Sequence, residues 1–206
     1  MADYVFQRGR IYSAMFLKRQ EVDAHPELAG VPRVVVIRDL RDTLISLYFS
    51  LKFSHPRENR IVDETRDLLQ SLEEEDGLLY LIENRLRRIA DLQSSWMGHD
   101  LVLRYEELIE RPFATLESAL IGRLKLPISK AELSRAIRRT HFQKVFRRKL
   151  GEENVKSHGR SGLPGDWRRY FTPEVRRQFA ERFGDVLIST GYEKDLRWVD
   201  EPERLF

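Results

Sequence analysis

The sequence has 206 residues, 41% hydrophobic and 33% charged, and its 36 basic and 33 acidic side chains leave a net charge of +3. This balance excludes a disordered chain and predicts one globular domain over residues 1–206. The absence of cysteine excludes a disulfide scaffold and a thiolate metal site. No apolar run is long enough to span a membrane, and charged residues interrupt the first 20 positions where a signal peptide would be apolar. We therefore expect a soluble, cytoplasmic protein.

Positive charge is concentrated in one part of the sequence. Residues 135–182 contain 14 Lys or Arg against 5 Asp or Glu, a local charge of +9, so the rest of the chain sums to about −6. Arginine supplies 28 of the 36 basic residues, and its planar guanidinium suits bidentate contacts with phosphate or carboxylate. The composition favours an anionic partner, although solvated helix faces would give a similar count.

Two short apolar runs predict parallel strands. Residues 34–37 are β-branched throughout and end at a charged pair, which predicts a strand buried on both faces in the centre of a sheet. Residues 101–105 predict a second strand. Strands that alternate with helices indicate an α/β fold with a parallel sheet flanked by helices.

Helical periodicity fills the remainder of the chain. The residues that follow the first strand have helical spacing, with Asp39 or Asp42 placed to cap the first turn. Thr172 and Pro173 have the N-cap and first-turn preferences of another helix start. Further helices are predicted over residues 63–72, 78–96, 113–124, 129–139 and 173–183.

The carboxyl ends of the two strands indicate where a ligand would bind. In open α/β sheets the ligand lies beyond these ends, which is where Arg38 and Tyr105 fall. Ser46 follows Arg38 by eight residues on the predicted helix, and the two could hold one anion. Arg38 could instead pair with Asp39 or Asp42 and leave Ser46 an ordinary helix residue. The sequence leaves both interpretations open.

Residues 160–171 form a second candidate segment. They contain two glycines and a proline, followed by three closely spaced aromatic residues. Glycine lets backbone amides approach an anion, Arg160 can add a charged hydrogen bond, and the aromatic side chains can hold the loop against the core. A surface turn with a buried tryptophan would have a similar composition.

Four segments, in this order, together resemble the cytosolic sulfotransferases that use 3′-phosphoadenosine 5′-phosphosulfate (PAPS). They are VVVIRDLRDTLISLYF (34–49), VLRYEELIERP (102–112), Thr140-His141-Phe142 and RSGLPGDWRRYFT (160–172). The first two are weak signals individually, whereas the last is more specific. The resemblance implies a P-loop-NTPase-like sulfotransferase fold.

The resemblance also implies roles for individual residues. The 3′-phosphate of the nucleotide would be bound by Arg38 and Ser46. The segment Arg160, Ser161 and Gly162 would close over the same phosphate. Ser161 stands where lysine is usual in the family, so one basic group is absent.

Three other residues would contact the nucleoside. Tyr105 and Thr140 would lie beside the adenine, and Phe142 would stack on it. The positive charge of the 135–182 region would then have a reason, because the nucleotide carries a 3′-phosphate and a phosphosulfate.

The chain departs from the family pattern at its N-terminal end. Only 37 residues precede Arg38, and they contain no Gly-rich loop followed by Lys-Ser or Lys-Thr. The resemblance implies that such a loop holds the 5′-phosphosulfate and supplies a lysine to the leaving oxygen. We therefore expect an N-terminally shortened version of the fold, which is either a truncated enzyme or a nucleotide-binding protein that transfers sulfate inefficiently.

No catalytic residue is assigned from the sequence. His25 is the histidine that precedes Arg38, but it lies closer to Arg38 than the family's base and is interpreted as a surface loop residue. Glu21 or Asp23 could take its place, although nothing in the sequence singles out either one. The histidines lack metal-ligand spacing, so we expect no metal.

The sequence thus supports three hypotheses. The first is a PAPS-dependent sulfotransferase that moves a sulfuryl group to a hydroxyl or amine of a small-molecule or glycan acceptor. The second is a catalytically impaired nucleotide-binding protein of the same fold. The third is a nucleic-acid-binding module over residues 135–183, but this stretch matches no RNA or DNA reader, so nucleic acid is not the expected partner. Neither the acceptor's identity nor the oligomeric state follows from the sequence.

Overall fold

The computed structural model describes residues 7, 9–12, 15–57, 59–98 and 101–200. Two strands, β1 (Val34–Ile37) and β2 (Leu101–Arg104), pair in parallel with Val34 opposite Leu101. The chain between them is helical, as a crossover between parallel strands requires. The described residues therefore have the predicted α/β fold, in which helices flank a parallel sheet.

Most predicted helices are present within a few residues of their expected bounds. Pattern alone misses the short helices, and it leaves out the π-helical turns Ser50–Ser54 and Glu117–Arg123 that extend α2 and α7. The α-helices of the described residues are α1 (Arg19–Asp23), α2 (Leu40–Phe49), α3 (Arg60–Ser71), α4 (Glu74–Asn84), α5 (Leu86–Ser95), α6 (Tyr105–Glu110), α7 (Pro112–Leu116), α8 (Lys130–Thr140), α9 (Phe142–Phe146) and α10 (Pro173–Ser189).

The helix starts follow their local sequence signals. The Asp39 carboxylate accepts a hydrogen bond from the Arg41 N–H at 2.9 Å, so Asp39 rather than Asp42 caps α2. Thr172 caps α10 by accepting from the Val175 N–H at 3.2 Å, with Pro173 in the first turn. Side-chain oxygens at these positions satisfy amides that have no partner within the helix.

The single helix predicted over residues 78–96 is wrong. The chain breaks at Arg85, which has φ −128° and separates α4 from α5. The Arg85 guanidinium donates to the Thr65 hydroxyl at 2.7 Å. The apolar stripe continues across the break, which is why periodicity alone does not reveal it.

The prediction that β1 is a central strand buried on both faces is also wrong. Val34 and Val36 are 39% and 52% exposed, whereas Ile37 on the other face is buried. Among the described residues β1 pairs with β2 alone. A β-branched run predicts an extended backbone, but only the arrangement of neighbouring elements decides whether both faces are covered.

The main core lies between α2, α4 and α10. Leu44, Leu78 and Phe179 are fully buried there. Two tryptophans from short 3₁₀ helices, Trp167 and Trp198, complete this core with their rings 5.7 Å apart in an edge-to-face arrangement. Because α2 begins directly after β1, this core fixes the position of the strand end that carries Arg38.

Candidate anion-binding site

Arg38 follows the last residue of β1 and has a guanidinium without a protein acceptor. Its carbon Cζ lies 4.7 Å from the centre of the Tyr105 ring. Its Nε is buried and makes no hydrogen bond within the described residues. A buried guanidinium donor without an acceptor is costly, which makes this side chain a candidate ligand for an anion.

The two aspartates that could have neutralised Arg38 have other partners. Asp39 holds Arg41, whose Nη2 lies 2.7 Å from the Asp39 Oδ2. Asp42 accepts from the Gly165 N–H at 2.6 Å and from the Trp167 N–H at 3.0 Å. Neither aspartate forms an ion pair with Arg38 in the described chain, although the Arg38 charge still lowers the pKa of the Asp42 carboxyl against the larger effect of burial.

Three of the predicted segments meet beside Arg38. Tyr105 begins α6 at the end of β2, and its hydroxyl donates to the Gly162 carbonyl at 3.0 Å. A Cβ placed on Gly162 would lie 2.7 Å from the Phe142 Cε2, so this ring rests directly on the Gly162 backbone. The structure thus links Arg38, Tyr105, Gly162 and Phe142 in one continuous set of contacts.

The loop at residues 160–163 adds backbone donors to this set. Ser161 is buried, and its hydroxyl accepts from the Leu163 N–H at 3.2 Å. Within the described residues, the N–H groups of Ser161 and Gly162 donate to no protein acceptor. Gly162 has φ +73°, a conformation that glycine adopts without a steric penalty. Successive free amides of this kind form concave sites for anions.

Asp42 fixes this loop to the start of α2. Burial raises the pKa of the Asp42 carboxyl, while the Arg38 charge and the amides of Gly165 and Trp167 oppose the shift. Trp167 and Phe171 are buried behind the loop, which confirms that its aromatic residues hold it against the core. The loop is therefore attached to both the helix and the core that position Arg38.

Ser46 and Thr140 lie at the margin of the contacts described above. Ser46 is exposed in α2, one helical turn beyond Asp42, and its hydroxyl makes no hydrogen bond within the described part of the chain. Thr140 is exposed in the last turn of α8, and its hydroxyl donates to the Ala136 carbonyl at 3.0 Å. The structure shows neither hydroxyl in contact with Arg38 or Tyr105.

Arg160 has a different environment from Arg38. Its guanidinium donates to Glu153 and Asp166, and it lies 4.5 Å from the centre of the Phe49 ring. Carboxylates thus occupy Arg160, although the sequence resemblance places it on a phosphate. In this conformation Arg160 joins the two ends of the 153–166 segment.

Glycine at position 162 is expected to be required for the shape of the loop. Gly162→Ala would place a Cβ against Phe142 and Leu150 in a backbone conformation with positive φ, and we expect it to cost about 2–4 kcal/mol of unfolding free energy. Gly30→Ala is the matched control, because Gly30 has φ +71° and no atom within 4 Å of an added Cβ. Urea denaturation of both variants would measure the difference, and equal losses would contradict packing of Phe142 on Gly162.

Tyr170 next to Arg160 is expected to make stability depend on alkaline pH. Its hydroxyl donates to the Glu153 carboxylate at 3.2 Å, and burial raises its pKa to about 12, against the opposing charge of Arg160. The unfolded chain releases this proton near pH 10, so the contribution is complete below pH 10 and is lost between pH 10 and 12. Tyr170→Phe should show a shallower decline of stability over this window, and parallel pH profiles would contradict the assignment.

Arg41 is a residue of this region that the sequence analysis missed. Its guanidinium carbon lies 4.0 Å from the Trp167 ring centre and 4.6 Å from that of Trp198, and its nitrogens pair with Asp39 and Glu193. Burial disfavours its charge, but the two carboxylates outweigh this effect and raise its pKa. The nearby Asp39 and Asp42 in the sequence indicated an ion pair for Arg41, but no sequence pattern indicated that its guanidinium packs on two tryptophan rings.

His25, the histidine that precedes Arg38, has a carboxylate neighbour. His25 Nδ1 lies 3.0 Å from the Glu27 Oε1 in the loop before β1. In the described ranges, no three His, Asp or Glu side chains are grouped so that they could hold a metal ion. No described helix is both long and apolar enough to cross a membrane.

The fold and these contacts define an α/β protein with a candidate site for an anion beyond the carboxyl ends of its parallel strands. In a comparison with protein families, residues 33–191 of the chain match the family described as "Sulfotransferase domain". This match spans most of the chain and includes every residue of the candidate site. The chain therefore belongs to the sulfotransferase domain family.

A solved structure supports the fold. The crystal structure of mouse sulfotransferase SULT7A1 complexed with PAP aligns with a TM-score of 0.55 and 22% sequence identity. The alignment covers 82% of this chain and 62% of the mouse protein, so the chain spans less than two thirds of that sulfotransferase. No curated protein matches the sequence.

Proposed function

We propose that this chain binds the adenosine 3′-phosphate portion of PAPS at the site built around Arg38. The observation that carries the proposal is the buried Arg38 donor without an acceptor, beside the ring of Tyr105. The free amides of Ser161 and Gly162 supply further donors on the loop that Tyr105 holds. This donor set fits a phosphate group. The similarity in fold to a sulfotransferase solved with PAP supports the same assignment.

The adenine would lie between the aromatic residues of this site. Phe142 and Tyr105 are brought together by Gly162, with Thr140 two residues before Phe142. Ser46 would extend the phosphate site from α2. Aromatic rings contribute stacking to a purine, while the charged and amide donors fix its phosphate.

The proposed reaction is transfer of a sulfuryl group to the hydroxyl or amine of a small-molecule or glycan acceptor. PAPS supplies the activated sulfuryl group, and the chain's own residues bind and orient the nucleotide. Glu153 and Asp166 both pair with Arg160 in the structure. To contact the phosphate as well, Arg160 would have to give up one of these two carboxylates. No described residue is assigned as the base that takes the proton from the attacking hydroxyl or amine.

The same ion pairs favour a second candidate, a nucleotide-binding protein with impaired transfer. A basic residue held by two carboxylates contributes less to anion binding than a free one. Ser161 in place of a lysine removes another positive charge. In this alternative the chain retains the nucleotide site but lacks the charge needed for rapid sulfuryl transfer.

Titration calorimetry tests nucleotide binding directly. We expect 3′,5′-diphosphoadenosine to bind and adenosine 5′-monophosphate, which lacks the 3′-phosphate, to bind at least about 10-fold more weakly. No binding at millimolar concentration, or equal affinities for the two nucleotides, would overturn the proposed site.

A transfer assay separates the two candidates. Incubation with PAPS and a panel of phenol, alcohol, amine and glycan acceptors should yield sulfated product and 3′,5′-diphosphoadenosine if the chain is an enzyme. Nucleotide binding without detectable transfer would support the impaired protein instead.

A further inference from the structure

A dense group of positive charges without ion pairs lies on α8, on α9 and in the turn after α9, outside the proposed nucleotide contacts. No Asp or Glu occurs between Leu133 and Gly151. Six outward side chains in this stretch are exposed, and we call them the basic face: Arg135, Arg138, Arg139, Lys144, Arg147 and Lys149. Arg135, Arg138 and Arg139 share one side of α8, because residues three and four apart are neighbours on a helix.

Several exposed arginines outside the basic face have carboxylate partners. Arg177 on α10 pairs with two glutamates, Arg182 pairs with Glu83, and Arg60 pairs with Glu64. The six residues of the basic face form no ion pair with any described residue. Like charges held together repel one another, so the arrangement favours binding of a negatively charged partner.

The backbone at Arg147 is a separate indication that charge is favoured here over stability. Arg147 terminates α9 with φ +59°, in the left-handed region. Glycine or asparagine is the usual residue at this position of a helix end, because other side chains meet a steric penalty. Arg147 thus occupies a position that glycine would adopt without this steric penalty.

Exposed aliphatic side chains accompany the basic face. Val145, Leu150 and Leu163 are 54%, 37% and 41% exposed. Leu163 packs beside Gly151 and Leu150 beside Gly162, and the Gly151 N–H donates to the Ser161 carbonyl between these two segments. The surface therefore presents apolar groups next to its cations.

A groove on the basic face has a size suitable for a headgroup. Its volume is about 670 Å³, and it is lined by Ile137, Arg138, His141, Gln143, Lys144 and Arg147. Three cations and one aliphatic side chain thus surround the same space.

We propose that the basic face docks on an anionic phospholipid surface. Basic side chains attract the anionic headgroups, and neighbouring aliphatic groups enter the boundary of the acyl chains. A sulfated glycan would satisfy the cations but would have no use for exposed Val145, Leu150 and Leu163. A single-stranded nucleic acid would require a row of exposed aromatic platforms, whereas no Phe, Tyr or Trp between residues 133 and 151 is exposed. The proposal does not depend on the nucleotide site.

Flotation with lipid vesicles tests the proposal on the full chain. We expect binding to vesicles that contain 30% phosphatidylserine and none to phosphatidylcholine alone, and the binding should fall as salt is raised to 0.5 M. Arg138→Gln combined with Lys144→Gln should lower the partition coefficient by about 25-fold, since each charge near the surface contributes about 5-fold. Val145→Ser should lower the partition coefficient at low salt and at 0.5 M salt, because the contribution of an apolar side chain is not screened by ions.

Two single substitutions distinguish a loss of vesicle binding from a loss of folding. Arg147→Gly should reduce partitioning by about 5-fold while its thermal midpoint stays equal to or above that of the wild type. Arg182→Gln removes one exposed charge from α10 and should leave partitioning unchanged.

Three results would overturn the proposal. The first is equal binding to vesicles with and without phosphatidylserine. The second is an equal fall in the partition coefficient for Arg182→Gln and Arg147→Gly. The third is binding of an oligonucleotide or heparin without binding of vesicles.

Discussion

Arg38→Ala is expected to weaken binding of 3′,5′-diphosphoadenosine by on the order of 100-fold, because it removes the charged donors of the proposed 3′-phosphate site. Calorimetry on the wild type and the variant measures this ratio. The stability of the variant should change little, since Arg38 makes no hydrogen bond within the described chain and contacts Tyr105 through its ring alone. Loss of binding can therefore be separated from loss of fold.

Matched variants sharpen this test. Arg38→Lys keeps the charge but loses the planar fork, so its affinity should fall between those of the wild type and Arg38→Ala. Ser46→Ala should cost about 5-fold if its hydroxyl bonds the same phosphate. Arg182→Ala, on α10, should have no effect on affinity. Unchanged binding in Arg38→Ala would remove the proposed site from this strand end.

Arg41→Ala is expected to lower the free energy of unfolding by about 3–5 kcal/mol, because it leaves the Asp39 and Glu193 carboxylates without their buried partner. It also empties the space between the Trp167 and Trp198 rings, which are 4.0 Å and 4.6 Å from the guanidinium carbon. Urea denaturation followed by circular dichroism measures the loss. Arg41→Lys should recover part of it, since the charge remains but the stacking does not.

An exposed arginine provides the control for Arg41. Arg177 also contacts two carboxylates, those of Glu174 and Glu181, but on the surface of α10. Exposed ion pairs contribute little because water solvates both partners, so Arg177→Ala should leave the unfolding midpoint nearly unchanged. Equal effects of Arg41→Ala and Arg177→Ala would contradict the role assigned to burial.

Sequence reasoning was most successful where the signal is local. Asp39 and Thr172 cap helices because a short side-chain oxygen at that position reaches a free amide without help from the rest of the fold. The strand ends at Arg38 and Tyr105 were also predicted, since a run of apolar residues that stops at polar ones marks the strand limits. The family resemblance rested on these strand ends and on the loop at residues 160–172, and the family match confirms it.

The sequence by itself determined the fold class, the family and the position of Arg38 at a strand end, because these depend on periodicity and on residues close together in the chain. The tertiary structure alone decided which charges remain free. It assigned Asp42 to the backbone of the 160–171 loop, paired Arg160 with Glu153 and Asp166, and left Arg38 without an acceptor. It also left one face of β1 exposed. Pairing and exposure depend on contacts between residues far apart in the chain, such as Asp42 and Trp167, which are 125 positions apart, and no local pattern encodes such contacts.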